Sequence, residues 1–553
     1  MLLMLRLCVA LLVLVAATLL VALPAAGLCL GVPARPATAP SERLAARPTG
    51  AVWTAGTGAR QAVGAITWLK LAGTPEELGA AHGALVTDLV AGLEGDLVGT
   101  LVERVPSFAA RHVLLGLVGF NNRHLVDQLL PEEQREIFAA VTAPDPALDP
   151  WRALGSQYQR AVHYHALHDV SQYLIDNPLV RPIQVGCSAF AAWGEHTPGG
   201  GMIVGRLFDF EGGPRFDLDK VVFTVAPKDG LRFIHVAWAG MTGAVTGFNE
   251  AGLWVSINAA ATQGMGFSGR PIVMVVRQVL QHCRTIDEAV AVLRSSQVFV
   301  SDGVLLASRS ERRAVVVELG PTGLAVRDSE AGLIRSTNHF LAPEWANDAP
   351  NRGRIEHGTT TTRYARLGEL LAEQPIDAAR AVAILRDHRG LGGTDLGFNN
   401  RSTINAWIGA HLAVADLERG ILWVSEPRHG LGIMRAFTID GPAPANDLPA
   451  DAELARCEKD LVTWLALRDE VRHLIHAGDR GRLPALVATL LALNPHNFES
   501  HWLAGLAATD RQVRTEHLRQ AVALQPAYSE DGALIRQSLE GSDSDLGPAE
   551  RIP

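Results

Sequence analysis

The spacing of apolar residues changes near residue 187, and this change constrains the fold more than any other feature of the chain. From about residue 53 to 184 apolar side chains recur at helical spacing. Pro75-Glu76-Glu77 and Pro131-Glu132-Glu133 each offer a proline for a first helical position and acids for the first turn. From Cys187 to about Val317 the pattern becomes short runs of Val, Ile, Phe, Trp and Ala, separated by Gly, Pro and Asp, at 202–210, 221–225, 233–238, 253–258 and 314–318. Such runs predict strands. Helical stretches at 273–282 and 287–293 interrupt them, and further strands are expected at 404–412 and 421–425. After Pro449 the helical spacing returns. Leu493-Asn494-Pro495 and Leu524-Gln525-Pro526 approach the roughly 34-residue tetratricopeptide period, although two copies suit an ordinary helical cap better. The mixture is α+β, or a layered α/β/β/α arrangement.

A chain of 553 residues accommodates about three to five units at ~100–200 residues each. The patterning divides it into a leading segment and Pro/Ala/Arg linker (1–50), a mainly helical leader (51–186), a core (187–440) and a helical C-terminal region (441–553). With 48% hydrophobic residues and a net charge of −9, the composition excludes disorder and argues against nucleic acid, whose binding needs clustered Lys and Arg. Residues 7–32 carry no charge. A helix of about 20 apolar residues spans a bilayer, so this stretch suits either an uncleaved anchor or an export signal. An exported or membrane-anchored body, in the cell envelope or otherwise outside the cytoplasm, is the expectation.

The five cysteines (Cys8, Cys29, Cys187, Cys283, Cys457) are far apart, with no C-x-x-C pair, so neither a structural zinc site nor a disulfide framework is suggested. Thiol chemistry, if present, rests on one residue. Cys187 opens a β-patterned run, Gly186-Cys187-Ser188-Ala189-Phe190, followed by a Gly/Pro-rich turn and Gly205-Arg206-Leu207-Phe208-Asp209-Phe210. By itself such a cysteine is most often a small buried hydrophobe. A papain-like pairing with His339 fits the spacing, but a papain-like thiol belongs at a helix N-terminus.

Gly-Cys-[Ser/Thr]-x-Phe, a hairpin and Gly-Arg-x-x-Asp-Phe resemble the N-terminal-nucleophile (Ntn) hydrolase superfamily. The likeness is to the autoproteolytic penicillin acyltransferase branch, peptidase C45, which is related to the choloylglycine hydrolases. The resemblance continues in order through Gly247-Phe248-Asn249-Glu250-Ala251-Gly252-Leu253 with Ser256-Ile257-Asn258, Ser336-Thr337-Asn338-His339-Phe340, Thr361-Thr362-Arg363-Tyr364, and Arg401-Ser402-Thr403-Ile404-Asn405 with Leu422-Trp423-Val424-Ser425. It implies a four-layer αββα sandwich flanked by the two helical regions. It also implies self-cleavage between Gly186 and Cys187, giving two chains that stay associated. Cys187 would then act as nucleophile with its own new α-amine as base, Asn258 and Asn338 as oxyanion donors, and Arg206, Asp209 and Arg363 around the thiol. The implied reaction is hydrolysis of a linear amide, or acyl transfer, through an acyl-thioester, acting on a small acyl amide or acyl donor without cofactor or metal. Leu207 stands where the family commonly has Asn, so bile-salt or penicillin specificity does not carry over.

Two other readings follow from the residues. His165 and Asp169 share a helical face and, with His163 and His168, could hold a metal, though carboxylate pairing is the commoner fate of such histidines. A non-catalytic cell-envelope interaction protein, with a degenerate core and a helical docking module, is the alternative to an enzyme.

Overall fold

The fold was obtained as a computed structural model, which describes residues 44–142, 149, 151, 154–175, 186–266, 268–329, 331–373 and 375–540. The uncharged stretch 7–32 lies outside the described residues, and among those described no helix is long and apolar enough to cross a membrane.

Two antiparallel-rich sheets form the centre. In chain order the strands are β1 (Arg47–Thr49), β2 (Val52–Ala55), β3 (Gly58–Val63), β4 (Ile66–Gly73), β5 (Ser188–Ala192), β6 (Ile203–Asp209), β7 (Lys220–Pro227), β8 (Phe233–Trp238), β9 (Thr246–Asn249), β10 (Leu253–Ala260), β11 (Ser301–Ser308), β12 (Arg313–Gly320), β13 (Gly323–Asp328), β14 (Leu333–Ser336), β15 (Gly409–Asp416), β16 (Ile421–Ser425), β17 (Met434–Thr438) and β18 (Gly441–Pro442). One sheet has eleven strands in the order β1-β2-β3-β4-β7-β8-β9-β10-β11-β12-β13, and the other has seven, β14-β5-β6-β15-β16-β17-β18.

Their side chains alternate between two apolar layers, as the period of two requires. Ala189, Ala191, Val204, Ala413 and Val424 of the smaller sheet meet Val222, Ile234, Trp254, Leu305 and Val316 of the larger one. The alternate positions Phe190, Leu207, Val414 and Trp423 pack outward on Leu367, Leu371, Ile384 and Leu385. On the other side, Val255, Val304, Leu306 and Val317 pack on leader helices and on the helix Ile272–His282. The result is helix, sheet, sheet, helix. Strands covered on both faces read as near-continuous apolar runs, which is why β10 and β11 are buried at every position.

The leader departs from its helical reading at its start. Residues 52–73 form three strands joined by turns at Gly56 and Gly64, and β4 pairs in parallel with β7 to extend the larger sheet. The alternation in Ile66–Gly73 was the available signal. The two Pro-Glu-Glu phrases do open helices, α1 (Pro75–Arg104) and α3 (Pro131–Thr142), with α2 (Phe108–Asn121) between them. Thr74 and Glu77 complete a capping box on α1. The strand expected at 404–412 begins only at Gly409, because 394–407 is a loop with Asn399 and Trp407 at positive φ. The C-terminal region is helical at Leu454–Ala477, Leu483–Leu493, Phe498–Ala507, Arg511–Ala523 and Ser529–Glu540. The two related Leu-x-Pro phrases mark the exits of the second and fourth of these helices.

Candidate active site

Cys187 directly precedes β5, two residues before Ala189, and its side chain is buried in the cluster that holds Phe208, Val245 and Ile257. Arg206 is opposite Ala189 in the β5–β6 register, and Asn258 follows Trp254 and Ser256 on the facing strand β10. The same alternation thus brings thiol, guanidinium and amide to one end of the inter-sheet layer. Cys187, Arg206, Asp209, Asn258, Asn338 and Arg363 are all buried.

Arg363 ties the site together. It lies in the first turn of the helix Thr360–Ala372, and its Nη1 donates to the Cys187 carbonyl at 2.7 Å and to Ser188 Oγ at 3.3 Å. Its Nη2 donates to Asn338 Oδ1 at 2.7 Å. The threonines ahead of it anchor the helix: Thr360 Oγ1 accepts from Asn338 N at 2.8 Å, and Thr337 Oγ1 donates to Thr360 O at 3.1 Å. Asn338 Nδ2 donates to Ala259 O at 2.8 Å, and Asn258 Nδ2 reaches Ser336 O and Oγ at a looser 3.4 Å.

Arg206 lies with Nη2 4.0 Å from Cys187 Sγ and its guanidinium over the Phe208 ring. Its Nη2 and Nη1 also donate to Ile257 O and Thr246 Oγ1, with His411 Nε2 3.3 Å from Nη1, while its Nε has no partner and no donor goes to Asp209. Burial pushes Arg206 down to about 10 and the buried His411 well below the usual histidine range, so His411 is neutral. Burial also raises the Cys187 thiol above its ordinary value, although Arg206 pulls it down and the Asp209 N–H donates to the sulfur. The thiol is therefore protonated at neutral pH in the uncleaved chain.

Arg206 Nε, Asn258 Oδ1 and Asp209 Oδ1 each lack a hydrogen-bond partner, and burial raises the Asp209 carboxyl to about 7 against the pull of Arg363 and Arg401. It lies against the expected scissile residue: a Cβ on Gly186 would come within 2.9 Å of Asp209 Oδ2. Any larger residue at 186 would crowd the Asp209 carboxylate.

Some members of the site were not among the expected residues. Arg401 pairs with Glu211, and both act on Asp209. Arg401 belonged to a recognised motif but carried no assigned role. Glu211 directly follows Phe210 and gave no separate signal.

The histidine cluster is divided among separate partners. His165 Nδ1 donates to Ala161 O at 2.7 Å and its Nε2 accepts from Thr242 N at 2.9 Å. His168 Nε2 donates to Asp302 Oδ1 at 3.0 Å, and Asp169 Oδ1 accepts from Ile272 N, the first residue of a helix. No group of three metal-ligating side chains occurs among the described residues. A cavity of about 330 Å3 among the leader helices, lined by residues such as Val90, Leu97 and Ile137, shares no residue with the thiol site.

The family model described as acyl-coenzyme A:6-aminopenicillanic acid acyl-transferase matches residues 197–401, a span holding Arg206, Asp209, Asn258, Asn338, Arg363 and Arg401 and starting after Cys187. A curated relative, Protein dcd1B of Dictyostelium discoideum, is 28% identical over 114 residues, which are 19% of this chain and 22% of that protein. The chain thus spans about a fifth of the length of that relative. Among solved structures, a Caenorhabditis elegans N-acylethanolamine-hydrolyzing acid amidase ortholog is 17% identical, with 42% of this chain and 93% of that one covered at a TM-score of 0.31. Penicillin V acylase from Agrobacterium tumefaciens is 16% identical, with 48% and 96% covered and a TM-score of 0.29. A mutant conjugated bile acid hydrolase from Clostridium perfringens is 13% identical, with 46% and 95% covered at 0.33. Residues 197–401 match the acyl-coenzyme A:6-aminopenicillanic acid acyl-transferase family, the branch of the Ntn hydrolases that the chain's motifs resemble.

Proposed function

We propose that the chain is a precursor that cleaves itself between Gly186 and Cys187 and then works as a cysteine amidohydrolase or acyltransferase. The observation that carries this reading is Asp209: a buried carboxyl with an unpartnered oxygen, pressed on the residue before a buried cysteine. Buried polar groups are rarely left unpaired. An α-ammonium at Cys187, formed only by scission, would be the missing donor.

In the first step Cys187 Sγ attacks the Gly186 carbonyl carbon, and the C–N bond to Cys187 breaks as the S–C bond forms. The proton lost by the thiol ends on the released α-amine. Water then attacks the thioester, giving a Gly186 carboxyl group and a free thiol. Asp209, near neutrality in its titration, can hold or yield a proton at this peptide.

In the second stage the α-amine takes the thiol proton. Its reference pKa of ~7.7–8.0 is near that of a thiol, so the transfer costs little. The sulfur attacks the substrate amide carbonyl. Asn258 and Asn338 donate to the oxyanion, each such donor being worth ~10²–10³ in rate. Asn338 Nδ2 has a second N–H for this after serving Ala259 O. The amine departs with a proton, and water or another amine takes the acyl group from sulfur. Hydrolysis is the default outcome. A degenerate, non-catalytic core is not favoured, since Arg206 lies beside the thiol and Arg363 links the Cys187 carbonyl to Asn338.

Splitting 59.1 kDa at residue 186 gives fragments of roughly 20 and 39 kDa, the smaller shorter still if a leading signal is removed. N-terminal sequencing of the larger fragment should begin at Cys187, and Cys187→Ala should leave one intact chain. An unprocessed parent, or fragments that persist in Cys187→Ala, would sink the reading. Export or anchoring through residues 7–32 is part of the proposal, tested by whether the protein fractionates away from the soluble cytosol.

A further inference from the structure

Strand β15 reaches the thiol site through an irregularity in its pairing. Its register against β6 shifts between Gly409, opposite Asp209, and His411, opposite Phe208. Such a bulge beside a site re-aims a side chain. The side chain here is His411, a buried histidine outside the recognised motifs. Its ring stacks on Phe208 at 5.2 Å, and the same phenyl ring carries the Arg206 guanidinium at 4.3 Å. Trp238 lies 5.9 Å away.

His411 Nε2 is 3.3 Å from Arg206 Nη1 and 3.0 Å from Thr246 Oγ1, and Thr246 Oγ1 also accepts from Arg206 Nη1. A guanidinium only donates, so Nε2 accepts and the single ring proton sits on Nδ1. The Thr246 hydroxyl then donates to Nε2, and the three side chains close a ring of hydrogen bonds. Burial, Arg206 and Lys220 together hold the imidazole neutral. His411 Nδ1 is left without a partner. A phenyl ring would fill this space with no unpaired polar atom, so packing alone does not account for a histidine at this position.

The guanidinium is planar, and fixing Nη1 also fixes Nη2. Nη2 donates to Ile257 O and lies 4.0 Å from Cys187 Sγ. We infer that His411 is a positioning residue: with Thr246 it holds one arm of Arg206 so that the other faces the Cys187 sulfur. This deepens, and rests on, the proposal that Cys187 is the nucleophile. Asp209 on β6 and Arg363 on the helix Thr360–Ala372 are the other charged groups that act on the thiol, and the variants below retain both.

The test follows alkylation of Cys187 by iodoacetamide against pH in the full-length protein. Mass spectrometry of the peptide holding Cys187 scores cleaved and uncleaved molecules separately, and thermal melting confirms folding. His411→Phe keeps a stacked ring and removes the acceptor. His411→Gln gives up the ring and offers Arg206 an amide oxygen. A cation no longer aimed at the sulfur stabilises the thiolate less, so the midpoint of the alkylation profile should rise by roughly half a unit or more in His411→Phe and hold the parent value in His411→Gln. An unmoved midpoint in His411→Phe overturns the positioning role. So does an equal rise in both variants, which marks a packing role. If His411→Phe does not fold, Thr246→Val, which removes the hydroxyl at nearly the same shape, carries the same expected rise and the same refutation. A folded parent that neither cleaves nor alkylates at Cys187 would instead overturn the nucleophile, and this inference with it.

Discussion

Replacing Gly186 by alanine would test the contact at the proposed scissile bond. The added Cβ would lie 2.9 Å from Asp209 Oδ2, 3.5 Å from its Cβ and 3.7 Å from its Cγ. Asp209 is buried at the end of β6, opposite Gly409, and cannot swing into solvent to make room. Overpacking by one methyl costs ~1–3 kcal/mol. If that strain displaces the carboxyl from its working position, at ~1.4 kcal/mol per decade self-cleavage slows by roughly 5- to 150-fold. The assay follows loss of the intact chain on denaturing gels after an expression pulse, with thermal melting to confirm that the precursor is folded. A second measurement isolates the step: once processed, the variant should match the parent in turnover per molecule, because residue 186 is not on the larger fragment. Cleavage of a folded Gly186→Ala precursor at the parent rate would refute the argument that this contact places Asp209.

Other outcomes follow from the same geometry. Asp209 titrates near 7, so if its ionised form assists cleavage, processing should accelerate between pH 6 and 8 in a time course, and Asp209→Asn should flatten that rise. The folded pKa lies above the unfolded one, so Asp209's contribution to stability is fullest below the ordinary carboxylate range and is lost as pH rises through about 7. Asp209→Asn should therefore raise the melting temperature more at pH 8 than at pH 5. Arg363→Lys cannot reach the Cys187 carbonyl, Ser188 and Asn338 together, and should lower activity by ~10²-fold or more in steady-state kinetics. His168→Leu would strand buried Asp302 and should cost ~3–5 kcal/mol in chemical denaturation, with much of the loss recovered in His168→Leu/Asp302→Leu.

Much of the core was legible because its physics is local. Strands covered on both faces must be apolar throughout, so residues 221–225, 233–238, 253–258 and 314–318 identified themselves, and the Pro-Glu-Glu phrases located two helix starts. The opening strands of the leader were not legible in this way. They lie toward one edge of the larger sheet, β2 and β3 are partly exposed, and only β4 joins the rest of the sheet, by pairing with β7 more than 140 residues away in sequence. Likewise 404–408 has the composition of a strand but serves as a loop, because its backbone is committed elsewhere: Asn405 N donates to Asp387 O, Trp407 N to Asn405 Oδ1, and Ala406 O accepts from Asn399 Nδ2.

The sequence by itself determined which residues have chemistry to offer: a solitary thiol after a glycine, an Arg and an Asp one hairpin later, two asparagines and a helix-borne Arg. The shared face of Cys187 and Arg206 came from the register of β5 with β6. Only the tertiary structure decided how these groups affect one another. Burial raises Asp209 and the thiol, Arg363 bridges Cys187 to Asn338, and Asn494 of the C-terminal helices holds the Phe398 turn. Desolvation and Coulomb interaction depend on distances between residues far apart in the chain, and no local pattern encodes those.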